Sequence, residues 1–277
     1  MKFSRYCRSL LSTPATAVHR YANSHESGAD IAMVDLEDSV PPQRKEEARR
    51  LAADFFTGPA VPARLAIRIN TVSEPDGLQD LLALRHYPVK PALVLIPKAE
   101  SARDIEIVAH TLAATCPDTE FFAVVETPRG LVNAAAIAAV SPRLRAVVFG
   151  AADYAFAVGA RLAWETLAYA RATVVNSARA AGVEVMDAPY FEVFDAEGLR
   201  REAAAARDLG FSGKVTLHPR QVPIVNEAFS PGPGVLDRAR RVVAAGQESG
   251  RGAALVDGAM VGAPFFEASQ QLVEEFG

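Results

Sequence analysis

FFAVVETPRGLVNAAAIAAVSPRLRAVVFGAAD, residues 121–153, decides the fold. It opens with a short apolar run, Phe121–Val125, that ends in Glu126. A segment of helical composition, Gly130–Val140, follows, and then a second apolar run, Ala146–Phe149, with Asp153 close behind. Runs of Val, Ala and Phe that do not strictly alternate with polar residues read as strands buried on both faces, as in a parallel sheet. Two such strands joined by a helix make one βαβ unit.

The pattern repeats outward in both directions. IAMVDLED (31–38), LAIRIN (65–70), ALVLIPK (92–98) and KVTLHP (214–219) are also apolar runs that end in charged or polar side chains. Strands are expected over Arg5–Ser12, Ile31–Leu36, Leu65–Ile69, Ala92–Ile96, Phe121–Val125, Ala146–Phe149, Val183–Met186 and Gly213–Leu217. Between them the spacing predicts helices over Arg20–Glu26, Lys45–Phe56, Gly77–His86, Ser101–Ala114, Gly130–Val140, Trp164–Ala181 and Ala196–Leu209. A last helix starts at Gln221. Gly28, Gly58-Pro59, Gly182 and Gly210 supply stops. Eight βα units are the count that a closed (β/α)8 TIM barrel requires, and the polar strand ends then converge on the rim where such barrels carry catalytic groups. A doubly wound sheet would carry a glycine-rich phosphate turn after strand one, and none is present. Gly232-Pro233-Gly234 lies in a proline-rich break, not between a strand and a helix.

The barrel is therefore expected over residues 1–230, with a C-terminal helical extension over 231–277. Ser230–Gly234 reads as a hinge. Beyond it, helices over Val235–Gln247 and Pro264–Phe276 flank a glycine-rich turn, Gly250–Gly262, and this tail would serve as a lid or an oligomer arm.

With 277 residues, half of them hydrophobic, the chain can bury a full core. Its 29 Lys and Arg against 33 Asp and Glu leave a charge of −4, so no global basic field draws nucleic acid or anionic lipid. Cys7 and Cys116 form no disulfide or zinc pattern, which makes a reducing cytoplasmic setting the expectation. No apolar segment approaches the ~20 residues of a membrane span. The stretch before Glu26 has no acid and contains Arg5, Arg8 and Arg20, as a transit peptide would. Without it, however, the barrel lacks its first strand.

Candidate chemistry starts with Glu126 and Asp153, which end adjacent strands and so become neighbours on one rim. Two carboxylates without a nearby Cys or His pair form an oxygen-rich site suited to Mg²⁺ or Mn²⁺. The alternative is that both are ordinary acids at helix N-termini. Glu37 and Asp38 follow strand two and would hold metal-bound waters, or merely cap the next helix. Asp35, between Val34 and Leu36, would point into the barrel. Arg68, inside an apolar strand, must face a carboxylate, and a ligand's is the favoured partner over the protein's own. Lys98 could form a Schiff base, although an ion pair at the rim is the simpler role. His218 would contact ligand or a loop, and the other histidines read as surface or helix residues. No Ser-His-Asp motif is recognisable.

RSLLSTP (8–14), VDLEDSV (34–40), IRIN (67–70), LIPKAES (95–101), VETPRGL (125–131), FGAADYA (149–155), GFSGKVTLHPRQV (210–222) and DGAMVGAP (257–264) together resemble the HpcH/HpaI aldolase and citrate lyase β-subunit superfamily. The likeness spans nearly the whole chain. It implies a Mg²⁺-binding (β/α)8 barrel assembled as homotrimers or hexamers, with Glu126 and Asp153 as metal ligands and Glu37 and Asp38 acting through water. Arg68 and the backbone amides around Ala151, Ala152 and Asp153 would hold the carboxylate of a short 2-oxo acid. Members cleave or form a carbon–carbon bond between that acid and an acyl-CoA enolate, as in malyl-, citramalyl- or citryl-CoA. Asp257 fits the position of an acid/base aspartate that reaches over from a neighbouring subunit, and its alternative is a plain Asp-Gly turn. A Mg²⁺-dependent thioesterase on the same scaffold and a Schiff-base aldolase using Lys98 are the alternatives. Two departures bear on the acyl carrier. LSTPATAVHRYA (11–22) replaces a YVPG-like stretch, leaving His19 and Arg20 as contacts or implying a carrier other than CoA. DGAMVG (257–262) lacks a lysine and a second acid that are frequent there.

Overall fold

The computed structural model describes residues 7–250 and 252–276. Among them, eight parallel strands close into a barrel in sequence order: β1 (Ser9–Pro14), β2 (Ile31–Asp35), β3 (Arg64–Arg68), β4 (Leu93–Ile96), β5 (Glu120–Val125), β6 (Leu144–Phe149), β7 (Glu184–Asp187) and β8 (Gly213–Thr216), which pairs back onto β1. The barrel helices are α1 (Tyr21–His25), α2 (Lys45–Ala52), α3 (Pro75–Leu84), α4 (Ala102–Leu112), α5 (Pro128–Val132), α6 (Ala134–Ala138), α7 (Ala151–Ala157), α8 (Ala168–Ala181), α9 (Ala196–Leu209) and α10 (Val222–Ala228).

The barrel has two apolar layers, set by the two-residue period of its strands. In β5, Phe122 and Val124 belong to the interior cluster, while Phe121, Ala123 and Val125 pack outward against the helices. In β2, Ile31 and Met33 lie inside and Ala32 and Val34 outside. In β6, Ala146 and Val148 lie inside and Val147 and Phe149 outside. Continuing each alternation by one step puts Asp35, Arg68, Glu126 and Gly150 at inward positions where the apolar filling stops. The interior therefore changes from hydrocarbon to charge at the carboxyl ends of the strands.

The second compact unit begins at Ser230. It consists of α11 (Pro233–Glu248), a hairpin of β9 (Ala254–Val256) and β10 (Ala259–Val261), and α12 (Ala263–Phe276). Val242, Val256, Val261 and Phe266 form its small core.

The structure corrects several boundaries. β1 starts at Ser9, not Arg5, and Arg5 and Tyr6 lie outside the described residues. The helix expected over 130–140 breaks at Asn133, whose side-chain amide donates to the Glu100 carbonyl at 2.8 Å. α7 falls between β6 and the helix expected over 164–181, in a stretch where the residue pattern marks no element. The glycine-rich turn holds a two-stranded hairpin, because Asp257 and Gly258 adopt positive φ of 51° and 78°, the backbone that a tight two-residue turn needs. No helix among the described residues is long and apolar enough to cross a membrane.

Candidate active site

Five strand ends build the site. Asp35, at the last position of β2, is fully buried, and its carboxylate accepts 2.7 Å hydrogen bonds from Nε and Nη2 of Arg68 on β3. Burial alone would raise the Asp35 pKa, but Arg68, together with donors from Ser39 and the Glu37 backbone, holds it down at about 2. Arg68 was expected to favour a ligand carboxylate. Its partners within the protein are Asp35 and, at 3.0 Å from Nη1, Glu37. It still lines the cavity described below. An arginine desolvated this far needs its own counter-ions before any ligand arrives.

Glu37 is buried between two cations. Its Oε1 pairs with Lys98 Nζ. Its Oε2 lies near Arg68 without an aligned hydrogen bond and is orphaned. Burial and Asp38 raise the Glu37 pKa against the pull of Arg68 and Lys98. Lys98 therefore takes the ion-pair role. Despite its burial, which lowers the pKa, Glu37, Glu126 and Asp38 raise it above the ordinary lysine range. Lys98 also carries a positive φ of 48°, and its backbone N–H donates to Glu126 Oε1 at 2.8 Å.

Glu126 is 2% exposed. Burial, Glu37 and Asp153 push its pKa up to about 8, with Lys98 and Arg68 opposing. Its neighbour at the end of the adjacent strand β6 is Gly150, where any Cβ would overlap the Glu126 side chain. Glu126 and Asp153 line one cavity of about 330 Å³, together with Asp35, Asp38, Arg68 and Gly150–Ala152. Below them its floor is apolar: Leu10, Met33, Leu95, Val124, Val148 and Val215. Ala151, Ala152 and Asp153 form the first turn of α7, whose N–H groups have no acceptor within the helix.

These residues fit a divalent cation. The orphaned Glu37 oxygen, the like-charge crowding around Glu126 and the room left by Gly150 all describe a place where positive charge would be stabilising. Among the described residues no three His, Cys, Asp or Glu side chains make a ready cage, and Glu126 and Asp153 are two carboxylates that line the same cavity. Mg²⁺ commonly accepts that arrangement, taking one or two carboxylates and filling its other positions with water or substrate.

The sequence profile of the HpcH/HpaI aldolase/citrate lyase family matches residues 8–219. This chain belongs to that family. It is 37% identical over 260 residues to a (3S)-malyl-CoA thioesterase of Cereibacter sphaeroides, covering 92% of this chain and 89% of the relative. The human mitochondrial citramalyl-CoA lyase is 31% identical over 286 residues, covering 96% of this chain and 84% of the relative. The crystal structure of the protein CitE from Mycobacterium tuberculosis, in complex with magnesium, acetoacetate and coenzyme A, superposes with a TM-score of 0.82 at 34% identity, covering 97% of each chain.

In this HpcH/HpaI family member a second cavity, of about 560 Å³, adjoins the first and shares Ser12 and Leu217 with it. Arg20 and His218 line it, whereas His19 does not. His218 Nδ1 accepts from the Arg220 backbone N–H at 3.2 Å, so its ring is held by its own loop. In the C-terminal unit, Asp257 sits in the hairpin turn and pairs with Arg241 at 2.8 Å and Arg238 at 3.8 Å. The Arg241 hydrogen bond holds its carboxyl below the ordinary range. Sequence reasoning missed Gly150 and the backbone of Lys98. Gly150 could have been found from the inward alternation of β6, but nothing in the residue order announces the positive φ of a lysine.

Proposed function

We propose that this chain is a Mg²⁺-dependent carbon–carbon lyase that cleaves or forms a 3-hydroxyacyl thioester, such as malyl-, citramalyl- or citryl-CoA, with a short 2-oxo acid as partner. The observation that carries the reading is the convergence of Glu126 and Asp153 on one cavity beside Arg68. Glu126 and Asp153 would hold the ion, with Glu37 and Asp38 orienting its waters. When bound, Mg²⁺ (or Mn²⁺) supplies Lewis acidity to the oxygen that becomes the carbonyl of the oxo acid. Arg68 and the Ala151–Asp153 amides would bind and orient the acid's carboxylate, and the apolar floor would keep bulk water out. The larger adjoining cavity, with Arg20 at its wall, suits the thiol carrier of the acyl partner.

Cleavage requires the 3-hydroxyl to lose a proton and the departing acyl carbon to gain one. Asp257, supplied by a neighbouring protomer of a homotrimer or hexamer, would be the transfer group. It would first have to leave Arg241, because a carboxylate held ionised by a guanidinium is a poor acid. The Schiff-base reading loses support, because a lysine held charged by Glu37 offers no free amine.

The thioesterase reading remains the second one, favoured by the likeness to the malyl-CoA thioesterase. The test is product analysis with malyl-, citramalyl- and citryl-CoA, with Mg²⁺ and after EDTA. Release of a 2-oxo acid plus the shortened acyl-CoA supports the lyase. Intact hydroxy-acid plus free thiol supports the thioesterase, and turnover that survives EDTA overturns both.

A further inference from the structure

Behind the β6 turn lies a buried ionic cluster that the proposed chemistry does not use. Arg171 on α8 is 3% exposed, and Asp187 on β7 and Lys214 on β8 are fully buried. Arg171 Nε donates to Asp187 Oδ1 at 2.9 Å. Lys214 Nζ donates to Asp187 Oδ2 and to Glu202 on α9, each at 2.6 Å. The guanidinium of Arg171 also lies over two rings, with its carbon 4.3 Å from the Trp164 centroid and 5.6 Å from that of Phe149. Its Nη1 is buried and has no hydrogen-bond partner.

Stability alone does not explain this choice of residues. A buried ion pair is commonly no better than an apolar group of the same volume, and an orphaned donor is a further cost. What Arg171 touches is more telling. Phe149 is the last residue of β6 and leads directly into Gly150–Asp153. A side cavity of about 120 Å³, lined by Arg171 and Glu202, shares Ala151, Pro189 and Phe191 with the main cavity. Ala151 is thus a wall with the proposed ligand on one side and Arg171 on the other.

We propose that Arg171 is a positioning residue. Locked by Asp187 and packed on Phe149 and Trp164, its rigid plane supports the Gly150–Asp153 turn from behind. It thereby sets where Asp153 and the Ala151–Asp153 amides stand towards metal and 2-oxo acid. The inference rests on the proposed function. A planar guanidinium braces two rings in a way that a lysine ammonium cannot, so charge and brace are separable.

The experiment compares the wild type with Arg171→Lys, Arg171→Met and Glu202→Gln. Binding of Mg²⁺, and of pyruvate in the presence of Mg²⁺, is followed by calorimetry, with thermal melts alongside. Trp164 is the only tryptophan of the chain, so its emission reports the junction directly. In the wild type, pyruvate with Mg²⁺ shifts that emission. Arg171→Lys keeps an ion pair with Asp187 and melts near the wild type, yet binds pyruvate roughly ten- to a hundredfold more weakly, the scale that a small misplacement of binding groups costs. Arg171→Met binds as weakly and melts lower. Glu202→Gln loosens the far end of the cluster, so its melting point falls while its pyruvate affinity stays within about twofold. Should Arg171→Met fail to fold, Phe149→Leu, which removes the braced ring and keeps the ion pairs, must show the same loss. Pyruvate affinity in Arg171→Lys within twofold of the wild type overturns the inference and leaves the proposed function standing. A wild type that binds neither Mg²⁺ nor pyruvate removes both.

Discussion

Asp35 grips Arg68 through two parallel 2.7 Å hydrogen bonds at the level where the barrel core gives way to the cavity. The pair fixes the plane of the guanidinium, so under the proposed function Asp35 would act on ligand binding through Arg68. Asp35→Asn leaves a desolvated arginine short of counter-charge and is expected to destabilise the protein by about 3 kcal/mol or more. It should also weaken pyruvate binding, and urea denaturation with calorimetry would read both effects. A stability loss below about 1 kcal/mol would show that Glu37 alone can hold Arg68.

Glu126→Gln separates charge from shape. In the metal-free protein at pH 8 the amide relieves the crowding with Glu37 and Asp153, so the melting temperature should hold or rise by a few degrees. Stabilisation by added Mg²⁺ should vanish together with activity. Melts with and without Mg²⁺ decide it, and a variant still stabilised by the ion would displace Glu126 from its proposed role.

The pH dependence follows from the same group. With a folded pKa of about 8 against an ordinary 4.5, Glu126 binds more protons when folded than when unfolded across that interval. The metal-free protein therefore loses stability as pH rises from about 4.5 towards 8. Asp35 acts oppositely: its pKa of about 2 contributes stability above 3.8 that is lost as pH falls towards 2. Saturating Mg²⁺ should flatten the decline between pH 5 and 8. Melting temperatures across pH 3–9 test this, and a metal-free protein that gains stability from pH 5 to 8 would contradict it.

Gly150→Ala tests the room beside Glu126. The added methyl would overlap both the carboxylate and the Cβ of Glu126, so the whole side chain and its strand end must shift, at an overpacking cost of about 1–3 kcal/mol or more. Mg²⁺ affinity should fall at least about tenfold, the effect of moving a liganding group off its geometry. Unchanged affinity by calorimetry would mean that the position of Glu126 does not set Mg²⁺ binding.

Asp257→Asn should leave Mg²⁺ and pyruvate binding within about twofold while turnover drops by roughly a hundredfold or more, as expected for loss of a proton-transfer group. Equal turnover in steady-state assays would return Asp257 to a simple turn residue.

The barrel is largely legible in residue order because its signals are local. Apolar runs such as Phe121–Val125 and stops such as Gly182 and Gly210 each mark one element, and Asp104 accepting from the Ser101 backbone at 2.8 Å opens α4 where expected. Glu126, Asp153 and Arg68 were legible for a related reason: charge at the end of an apolar run is conspicuous. α7 was not, since AADYAFA is too short for a helical period to stand out from a loop. Arg68 shows the remaining limit. Composition demands a counter-ion for it, but whether that is Asp35 or a ligand depends on strand register, and β2 and β3 place Asp35 opposite Arg68.

Lys98 reaches Glu126 through its main chain and Glu37 through its side chain, from a backbone conformation that a lysine rarely adopts. Glycine would relax that conformation and release the Glu37 side chain, whereas a lysine in an extended backbone would move its N–H away from Glu126. Repairing irregular dihedral angles to thermostabilise this barrel would therefore undo, at residue 98, contacts to two buried carboxylates at once. A consensus or ancestral redesign should treat that position as one that holds Glu37 and Glu126 in place, not as a defect to be mended.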